Sequence, residues 1–505
     1  MLKKLFLFIS SFIVLESSSQ VYTWAAMDSL YSEGGIDLAK DDFGNIFVAS
    51  VYDDNINLCK YDPGHHLEWE RKIYSLGISD LAIGICCDHI GNVYATACFT
   101  GDLKLDTTTL LSLYGGNMFL LKLDSAGIFQ WVKHTSGSQT RGRKLSCDAL
   151  NNIYVAGQIN GYSYFDTVYV SPVNFTVRNY VAKYDSNGDF RWVNCCTGGD
   201  QTNHYIGFKT DDKGNGYLSG CIHGTVYFDS IAVSSWGYKD TYLAKIDSSG
   251  HWIWVRHGGW NYSDESYNVG IDSSGNAYLM GYFGSPTAHF GSFILNNASN
   301  HDFFVAKYDS SGTVLWAVRG WKMGYSPSFC VDKAGNSYLT TNSKFIYKYD
   351  TNGNFVYAAN NASAYNNAMI ADDSGSVYIT GSFVDSVTFG NTHLNAIYTY
   401  QSFVTKLEFP SQPNTVQLNS EKSDWLIYPN PGCEQLNVCG RLSTPRIITL
   451  NIRNMLGEVI CTEKYNSGSA YFNRQLNVSL VPRGIYFVEL SDGENIFETK
   501  KIVLQ

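Results

Sequence analysis

The sequence of 505 residues predicts an all-β fold built from one repeated four-stranded unit. Three observations support this prediction. Aromatic residues make up 15% and charged residues 16% of the chain, with 46 glycines, a composition that favours short strands and tight turns over helices. The motif Asp-x-x-Gly-Asn-x-Tyr recurs along the chain. A second motif, Lys-x-Asp-x-x-Gly followed by Trp, alternates with the first.

Both motifs are predicted to be turns between strands, because Asp caps a turn and Gly or Asn adopts the positive φ that closes it. Each repeat then holds four strands. Strand a precedes the first motif, b follows it, c precedes the second motif and d follows that. The first motif begins at Asp41, Asp88, Asp148, Asp211, Asp272, Asp332 and Asp372. The second begins at Lys60, Lys122, Lys183, Lys245, Lys307 and Lys348, with a shortened copy at Lys406.

Four antiparallel strands per repeat form one blade of a β-propeller. The stretch VYTWAA at Val21 is a strand d without a, b or c before it, and the last copy ends at strand c with SFVTKLEF. We predict that this N-terminal strand completes the last blade, so that residues 20–409 form seven blades. The blades with Asp41 and Asp332 are expected to be short, because their b–c connections lack an extra stretch.

The repeat resembles a bacterial family of seven-bladed propeller repeats, the SBBP-type repeats. That pattern is written roughly D-x-x-G-N-x-Y-V-x-G and then F-V-x-K-[YL]-D-x-x-G. The resemblance covers Val21 to Phe409. It implies the fold, and it carries no shared catalytic chemistry.

The first 19 residues are interpreted as a secretory signal peptide. Lys3 and Lys4 precede an apolar stretch from Leu5 to Leu15, and serines follow. The stretch is about half of the ~20 residues that a spanning helix needs. We predict cleavage between Ser19 and Gln20.

A polar linker, residues 410–424, is predicted to lead to a second domain, residues 425–505, with the pattern of a small β-sandwich. This domain resembles the C-terminal sorting domain of the type IX secretion system of Bacteroidetes-like bacteria. The matching residues are Tyr428, Pro429, Asn430, Pro431, Gly457, Gly484, Tyr486 and Lys500. The resemblance implies contact with the type IX secretion machinery and removal of this domain. It also implies release into the medium or attachment to surface lipopolysaccharide.

The net charge of −10 places no basic field on the molecule, so neither nucleic acid nor an anionic membrane is an expected partner. The chain has twelve cysteines. Cys87, Cys147 and Cys330 lie near the motif Asp, where other copies have Ile, Val or Thr, and are interpreted as small buried apolar residues. The pairing of the remaining cysteines stays open.

A side chain that recurs in every repeat is interpreted as scaffold, whereas a functional site should occur once. The unrepeated residues collect on the face formed by the b–c and d–a loops. The candidate ligand-binding residues are Arg141, Arg143, Trp260, Tyr262, Asp264, Glu265, Trp321 and Tyr325. Their aromatic rings are suited to stacking on sugars, and Asp264 and Glu265 to accepting hydrogen bonds from hydroxyl groups. The alternative is that these loops are merely solvated.

Three functions are therefore considered. The favoured one is an exported, surface-displayed or secreted binding scaffold for a glycan or protein. The second is an extracellular polysaccharide hydrolase or lyase with its site in the central funnel, and the third is a structural spacer. We assign no catalytic residues, cofactor or metal ion; the turn at Asp185, for example, lacks the acidic spacing of a calcium loop.

Overall fold

The computed structural model describes most of the chain from residue 21 to residue 504 as antiparallel strands and turns. The described ranges are 21–27, 35–52, 55–75, 83–105, 108–171, 176–199, 205–297, 301–322, 327–340, 345–360, 364–397, 400–409, 424–428, 435–441, 447–454, 457–466, 471–491 and 496–504. None of these ranges contains a helix. The predicted signal peptide, its cleavage position Ser19–Gln20 and residues 410–423 of the predicted linker lie outside them.

The chain divides into two compact units, Met1–Pro410 and Ser411–Gln505. The first strand of the first unit is β1 (Val21–Met27).

Sheets A to D follow in chain order. Sheet A contains β2 (Gly35–Lys40), β3 (Ile46–Tyr52), β4 (Asn55–Tyr61) and β5 (Leu67–Ser75). Sheet B contains β6 (Gly84–Cys87), β7 (Val93–Leu105), β8 (Thr108–Leu123) and β9 (Phe129–His134). Sheet C contains β10 (Ser136–Cys147), β11 (Ile153–Phe165), β12 (Val168–Val170), β13 (Val177–Tyr184) and β14 (Phe190–Cys195). Sheet D contains β15 (Gly207–Thr210), β16 (Gly216–Ile222), β19 (Asp240–Ile246) and β20 (Trp252–Gly258), with the hairpin β17 (Thr225–Phe228) and β18 (Ile231–Ser234) between its second and third strands.

Sheets E to G continue the same pattern. Sheet E contains β21 (Asp264–Ile271), β22 (Ala277–Phe283), β25 (Asp302–Tyr308) and β26 (Val314–Lys322), with the hairpin β23 (Thr287–Phe290) and β24 (Phe293–Asn296). Sheet F contains β27 (Ser328–Val331), β28 (Ser337–Thr340), β29 (Phe345–Tyr349) and β30 (Phe355–Asn360). Sheet G contains β31 (Tyr365–Ala371), β32 (Val377–Phe383) and β35 (Gln401–Glu408), with the hairpin β33 (Ser386–Phe389) and β34 (Thr392–Asn395). The outer strand of sheet G is β1, which pairs antiparallel with β35 from Val21 opposite Glu408 to Met27 opposite Phe403.

The first strands of the sheets line one central cavity of about 580 Å³. Consecutive antiparallel sheets with their first strands around a common channel make the first unit a β-propeller. Sheets A and B are additionally joined by pairing between β5 and β7. In sheets A and F the second and third strands are short and are separated only by residues 53–54 and 341–344, as the sequence predicts. In sheet B the corresponding strands extend as a longer hairpin, to Leu105 and from Thr108.

The first motif builds the turn that follows strand a. In sheet B, Oδ1 of Asp88 accepts hydrogen bonds from the backbone N–H groups of Ile90 and Asn92, and Gly91 adopts a φ of 84°. The buried Tyr94 hydroxyl donates to Oδ2 of Asp88 at 3.0 Å. The Asp and the Tyr of the motif therefore recur because each satisfies the other in the core.

The second motif links each sheet to the next. Nζ of Lys183 and Nε1 of Trp192, both of sheet C, lie 3.1 Å from the carbonyl oxygen of Ser248 in sheet D. Gly250 of that turn has a φ of 92°, and a Cβ atom there would lie 2.8 Å from Cδ2 of Trp192. We call this arrangement the inter-sheet latch. Four other turns repeat the latch. In each, the carbonyl oxygen at the position of Ser248 accepts hydrogen bonds from the Lys and the Trp of the preceding sheet, at Ser125, Ser186, Ser310 and Thr351.

The described residues of the second unit form two antiparallel sheets. One contains β36 (Asp424–Tyr428), β37 (Gln435–Arg441) and β40 (Tyr471–Asn477). The other contains β38 (Ile447–Arg453), β39 (Val459–Asn466), β41 (Gly484–Ser491) and β42 (Ile496–Leu504). Apolar side chains of both sheets, among them Val438, Leu450 and Val488, share one buried cluster.

Candidate functional site

One group of exposed aromatic rings lies where sheets D and E meet. Trp260 and Tyr262 lie in the connection between β20 and β21, on the face that the sequence singles out. One further connection and two strands carry other rings that lie beside them. The group, which we call the aromatic surface, consists of Trp236 and Tyr238 after β18, His257 of β20, Trp260 and Tyr262, and His289 of β23. The exposed fractions of Trp236, Tyr238 and Tyr262 are 49%, 60% and 61%.

Four rings of the aromatic surface pack on one another: Trp236, His257, Trp260 and His289. Trp260 stacks on His289 with ring centroids 4.5 Å apart and an interplanar angle of 13°. Trp236 meets Trp260 edge to face at 5.7 Å and lies 4.0 Å from His257. Each indole is therefore oriented by neighbouring rings, while nearly half of Trp236 stays open to solvent.

Backbone hydrogen bonds fix the connection that carries Trp260. Gly259 exchanges two of them with His289, at 3.2 and 3.1 Å. The N–H of Asp264 donates to the carbonyl of Lys239 at 2.8 Å. A side chain at Gly237 would collide with the carbonyl oxygen of Trp260, so the two connections touch directly. The aromatic surface is thus held by both sheets.

Two buried carboxylates lie beneath the aromatic surface. Oδ2 of Asp240 accepts the backbone N–H of Trp236 at 2.6 Å, and Oδ2 of Asp264 accepts that of Trp260 at 2.7 Å. They meet at Gly259, where a Cβ atom would lie 2.6 Å from Oδ2 of Asp264 and 2.9 Å from Oδ1 of Asp240. Burial raises the pKa of Asp240 to about 7, and the nearby charge of Asp264 adds to this rise. Each carboxylate therefore positions one tryptophan.

The position of Asp264 differs from the expectation that its oxygens are offered to a ligand. The side chain is fully buried, and Ser285 donates its hydroxyl to Oδ2 at 2.7 Å and its N–H to Oδ1 at 3.1 Å. A buried carboxylate needs such donors to offset its lost hydration. Burial raises the pKa of Asp264 as well. Glu265 is partly exposed and forms an ion pair with Lys239 at 3.6 Å.

The two arginines of the predicted site lie in a strand and not in a loop. Arg143 of β10 is buried, and its Nε donates to Oε1 of Gln158 at 3.1 Å. Gln158 in turn donates to Asn179, which donates to the hydroxyl of Tyr242 in sheet D. Arg141 is half-buried in the same strand. Because its guanidinium belongs to this buried network, Arg143 is not presented to a ligand as expected.

The side chains of the two remaining predicted binding residues lie outside the described part of the structure. Trp321 lies near the end of β26, and only its backbone is described. Tyr325 lies outside the described residues.

The central channel is a concave feature of the first unit. Its wall carries charged groups, including Asp37 and Lys144, which lie 3.6 Å apart, and Lys333, which pairs with Asp373 at 2.8 Å. Within the described ranges, no three His, Cys, Asp or Glu side chains are close enough to hold a metal ion. In the same part of the chain, no helix is long and apolar enough to cross a membrane.

Sequence reasoning missed Trp236, Tyr238, His257 and His289. None of the four recurs in every repeat, and this is the signal that selected Trp260. They come from three separate segments, so only the packing of sheet D against sheet E shows that they belong together.

The predicted sorting residues lie in or beside the strands of the second unit. Gly457, with a φ of 83°, closes the turn between β38 and β39. Gly484 begins β41, and the hydroxyl of Tyr486 donates to the carbonyl of Pro482 at 2.8 Å. Lys500 of β42 lies opposite Val488 of β41. Tyr428 ends β36 with only its backbone described, and Pro429, Asn430 and Pro431 lie outside the described residues.

Residues 426–505 match the protein family described as "Secretion system C-terminal sorting domain". The second unit carries a type IX sorting domain. The chain is therefore a protein that type IX secretion exports to the cell surface or the medium.

The first unit is similar to other repeat proteins. One relative is an uncharacterized WD repeat-containing protein of Acanthamoeba polyphaga mimivirus, 24% identical over 383 residues, which are 61% of this chain and 27% of the relative. Among solved structures, BamB from Moraxella catarrhalis has a TM-score of 0.38 and 12% identity, covering 78% of this chain and 99% of BamB. The Dos1 propeller has a TM-score of 0.39 and 10% identity, covering 77% and 94% of the two chains. These scores are low, and the fold follows from the sheet topology instead.

Proposed function

We propose that the protein is an exported seven-bladed β-propeller that binds a glycan through the aromatic surface. The observation that carries the proposal is the set of exposed rings on two connections that backbone hydrogen bonds and buried carboxylates hold in place. Rings ordered before binding lose little conformational freedom when a ligand stacks on them. The ion pair of Lys239 with Glu265 supplies polar groups beside the rings.

The blade count rests on the sheets and on the strand β1. Sheets A to G each supply strands a, b and c, and β1 supplies strand d of sheet G. Trp24 of β1 stacks on His65 with centroids 4.2 Å apart, and His65 lies in the turn of sheet A with a φ of 73°. The five latches described above also place a Trp against the turn of the next sheet, where the indole packs on a glycine. Sheet F has Tyr357 at this position, and its side chain lies outside the described residues. These contacts support a ring of seven blades that closes through β1.

Export and processing complete the proposal. We place a signal peptide at residues 1–19, cleaved before Gln20, and a linker at 410–424 that is cut when the sorting domain is removed. The mature ring is then released or attached to surface lipopolysaccharide. N-terminal sequencing and intact mass of the exported protein test this: a chain that begins at Gln20 and lacks residues 425–505 is expected. A chain that keeps its first 19 residues contradicts it.

Substitution of two exposed rings tests the proposed binding site. In the mature protein, Trp236→Ala combined with Tyr262→Ala removes two stacking faces, so affinity for a glycan identified on an array is expected to fall at least about tenfold. Tyr162→Ala combined with Tyr169→Ala is the matched control, since these rings are 39% and 50% exposed on sheet C.

The outcomes separate the candidate functions. Loss in the first variant alone, at an unchanged unfolding temperature, supports the site. Equal binding by both variants and the unsubstituted protein removes it. If no glycan binds and a protein is captured through the same rings, the ligand is a protein and not a glycan. If neither kind of ligand binds, the result favours the structural spacer.

A further inference from the structure

Two thiols face each other in the wall of the central channel. Sγ of Cys86 in sheet B lies 2.8 Å from Sγ of Cys147 in sheet C. Both side chains pack in the apolar cluster between these sheets, which includes Tyr94 and Leu145. Cys87, the next residue in sequence, packs instead in the cluster of sheets A and B. Cys86 and Cys147 are therefore neighbours across one inter-sheet boundary.

The repeat explains why these positions meet. The residue two places before the motif Asp in one sheet contacts the residue one place before the motif Asp in the next sheet. Ser146 and Thr210 show this between sheets C and D, with hydroxyl oxygens 2.6 Å apart. Between sheets E and F, a side chain at Gly270 would collide with Val331. Between sheets B and C the same two places hold cysteines.

The backbones approach closely enough for a cross-link. A Cβ atom on Gly84 of β6 would lie 3.0 Å from both the carbonyl oxygen of Arg143 and Cα of Lys144 in β10. Disulfide bonds require strands at such short separations, with Cα atoms usually 4.4–6.8 Å apart. The strands β6 and β10 thus pass each other at close range just before the two thiols.

We propose that Cys86 and Cys147 form a disulfide bond that joins sheets B and C in the exported protein. Export removes the chain from the reducing cytosol, where such bonds are rare. The reaction is a thiol–disulfide exchange with a disulfide-bearing oxidant. The two cysteines lose two protons and two electrons, the S–S bond of the oxidant breaks, and two oxidant thiols are released. The channel, which both cysteines line, gives access to the pair.

The bond is expected to form as the ring assembles and then to persist. Burial raises the pKa of the Cys147 thiol, so the folded ring holds little of the reactive thiolate. A cross-link between residues 86 and 147 also closes a long loop of the unfolded chain, which raises the stability of the folded form. This inference rests on export and does not depend on the proposed ligand.

Peptide mapping of the unsubstituted protein tests the bond directly. The exported protein is recovered from the medium, or the full-length chain is refolded with oxidised glutathione. Each preparation is denatured at near-neutral pH with an excess of an alkylating reagent and is then digested with trypsin. We expect peptides 73–104 and 145–178 to appear as one disulfide-linked species that reductant separates. Recovery of Cys147 wholly alkylated in both preparations overturns the proposal.

Three serine variants assign the sulfur atoms, because peptide 73–104 also contains Cys87 and Cys98. Cys86→Ser is expected to abolish the linked species, and Cys87→Ser to leave it intact. Cys330→Ser is the matched control, since Cys330 is buried in the same channel at the same place in the repeat as Cys86. Cys330→Ser should keep the disulfide-linked species. Its unfolding temperature should fall on reduction, as we expect for the unsubstituted protein. Persistence of the link in Cys86→Ser contradicts the assignment.

Discussion

At the scale of single residues, the aromatic surface depends on two carboxyl groups that solvent does not reach. Asp240 and Asp264 are fully buried and each accepts the backbone N–H of a tryptophan. Burying a carboxylate favours its neutral form, which is why the pKa of Asp240 rises to about 7. The orientation of Trp236 is therefore linked to pH.

The stability of the first unit should fall as pH rises from about 4 to about 7. In this window the folded state keeps the proton of Asp240, whereas the unfolded chain, with an ordinary carboxyl pKa, has lost it. The slope from one such group is at most about 1.4 kcal/mol per pH unit. Asp240→Asn, which is neutral at every pH, should show a smaller decrease when urea unfolding is measured from pH 4.5 to 7.5.

Asp309→Asn serves as the control for this measurement. Hydrogen bonds from the Ser311 hydroxyl and nearby backbone lower the pKa of Asp309, so its contribution to stability changes below pH 4. Asp309→Asn should leave the slope of the unfolding free energy against pH unchanged between pH 4.5 and 7.5. An equal slope in the unsubstituted protein and Asp240→Asn would show that Asp240 is ionised throughout.

At the scale of elements, the latch explains why the second motif is repeated so strictly. One carbonyl accepts from a lysine and a tryptophan of the preceding sheet, and the glycine of the same turn makes room for the indole ring. The lysine also lies over an aromatic ring of its own sheet, as Lys183 does over Tyr154 at 4.9 Å. The motif therefore encodes contacts between sheets as well as a turn.

Two glycine substitutions separate the contribution of the latch from that of the turn. Gly250→Ala places a Cβ atom 2.8 Å from Trp192, whereas Gly275→Ala, also at a positive φ, meets nothing within 4 Å. Both changes carry the left-handed backbone strain of about 1–2 kcal/mol. We expect Gly250→Ala to lower the free energy of unfolding by at least about 1 kcal/mol more in urea. Equal losses would mean that the ring of Trp192 moves away without penalty.

The sequence predicts the repeated parts of the fold much better than the site. Motif spacing places the turns at Asp88 and Asp272, because each turn is a local structure that its own residues determine. Burial of Asp264 could not be read in the same way, since it depends on Ser285 and on a neighbouring sheet. The contact of Cys86 with Cys147 was accessible in principle from the repeat register, but it requires knowing which strand lies beside which.

At the scale of the whole molecule, the account requires a closed ring. The strand β1 buries Tyr22 and Trp24, pairs with β35 and contacts sheet A through His65. Without β1, the strand β35 would have an unpaired edge and the ring would be open beside sheet A. The closure that we propose would link the two ends of a repeat array nearly 400 residues long.

The most direct test is the thermal unfolding of the protein that begins at Val21 against one that begins at Asp28, both continuing to Gln505. Removing β1 deletes two buried aromatic side chains, Tyr22 and Trp24, and the loss of each costs about 3–5 kcal/mol. If β1 closes the ring, the unfolding temperature of the ring falls by about 10 °C or more. The amides of residues 403–408 should also lose protection from hydrogen exchange. An unchanged unfolding temperature, with those amides still protected, would contradict closure of the ring by β1.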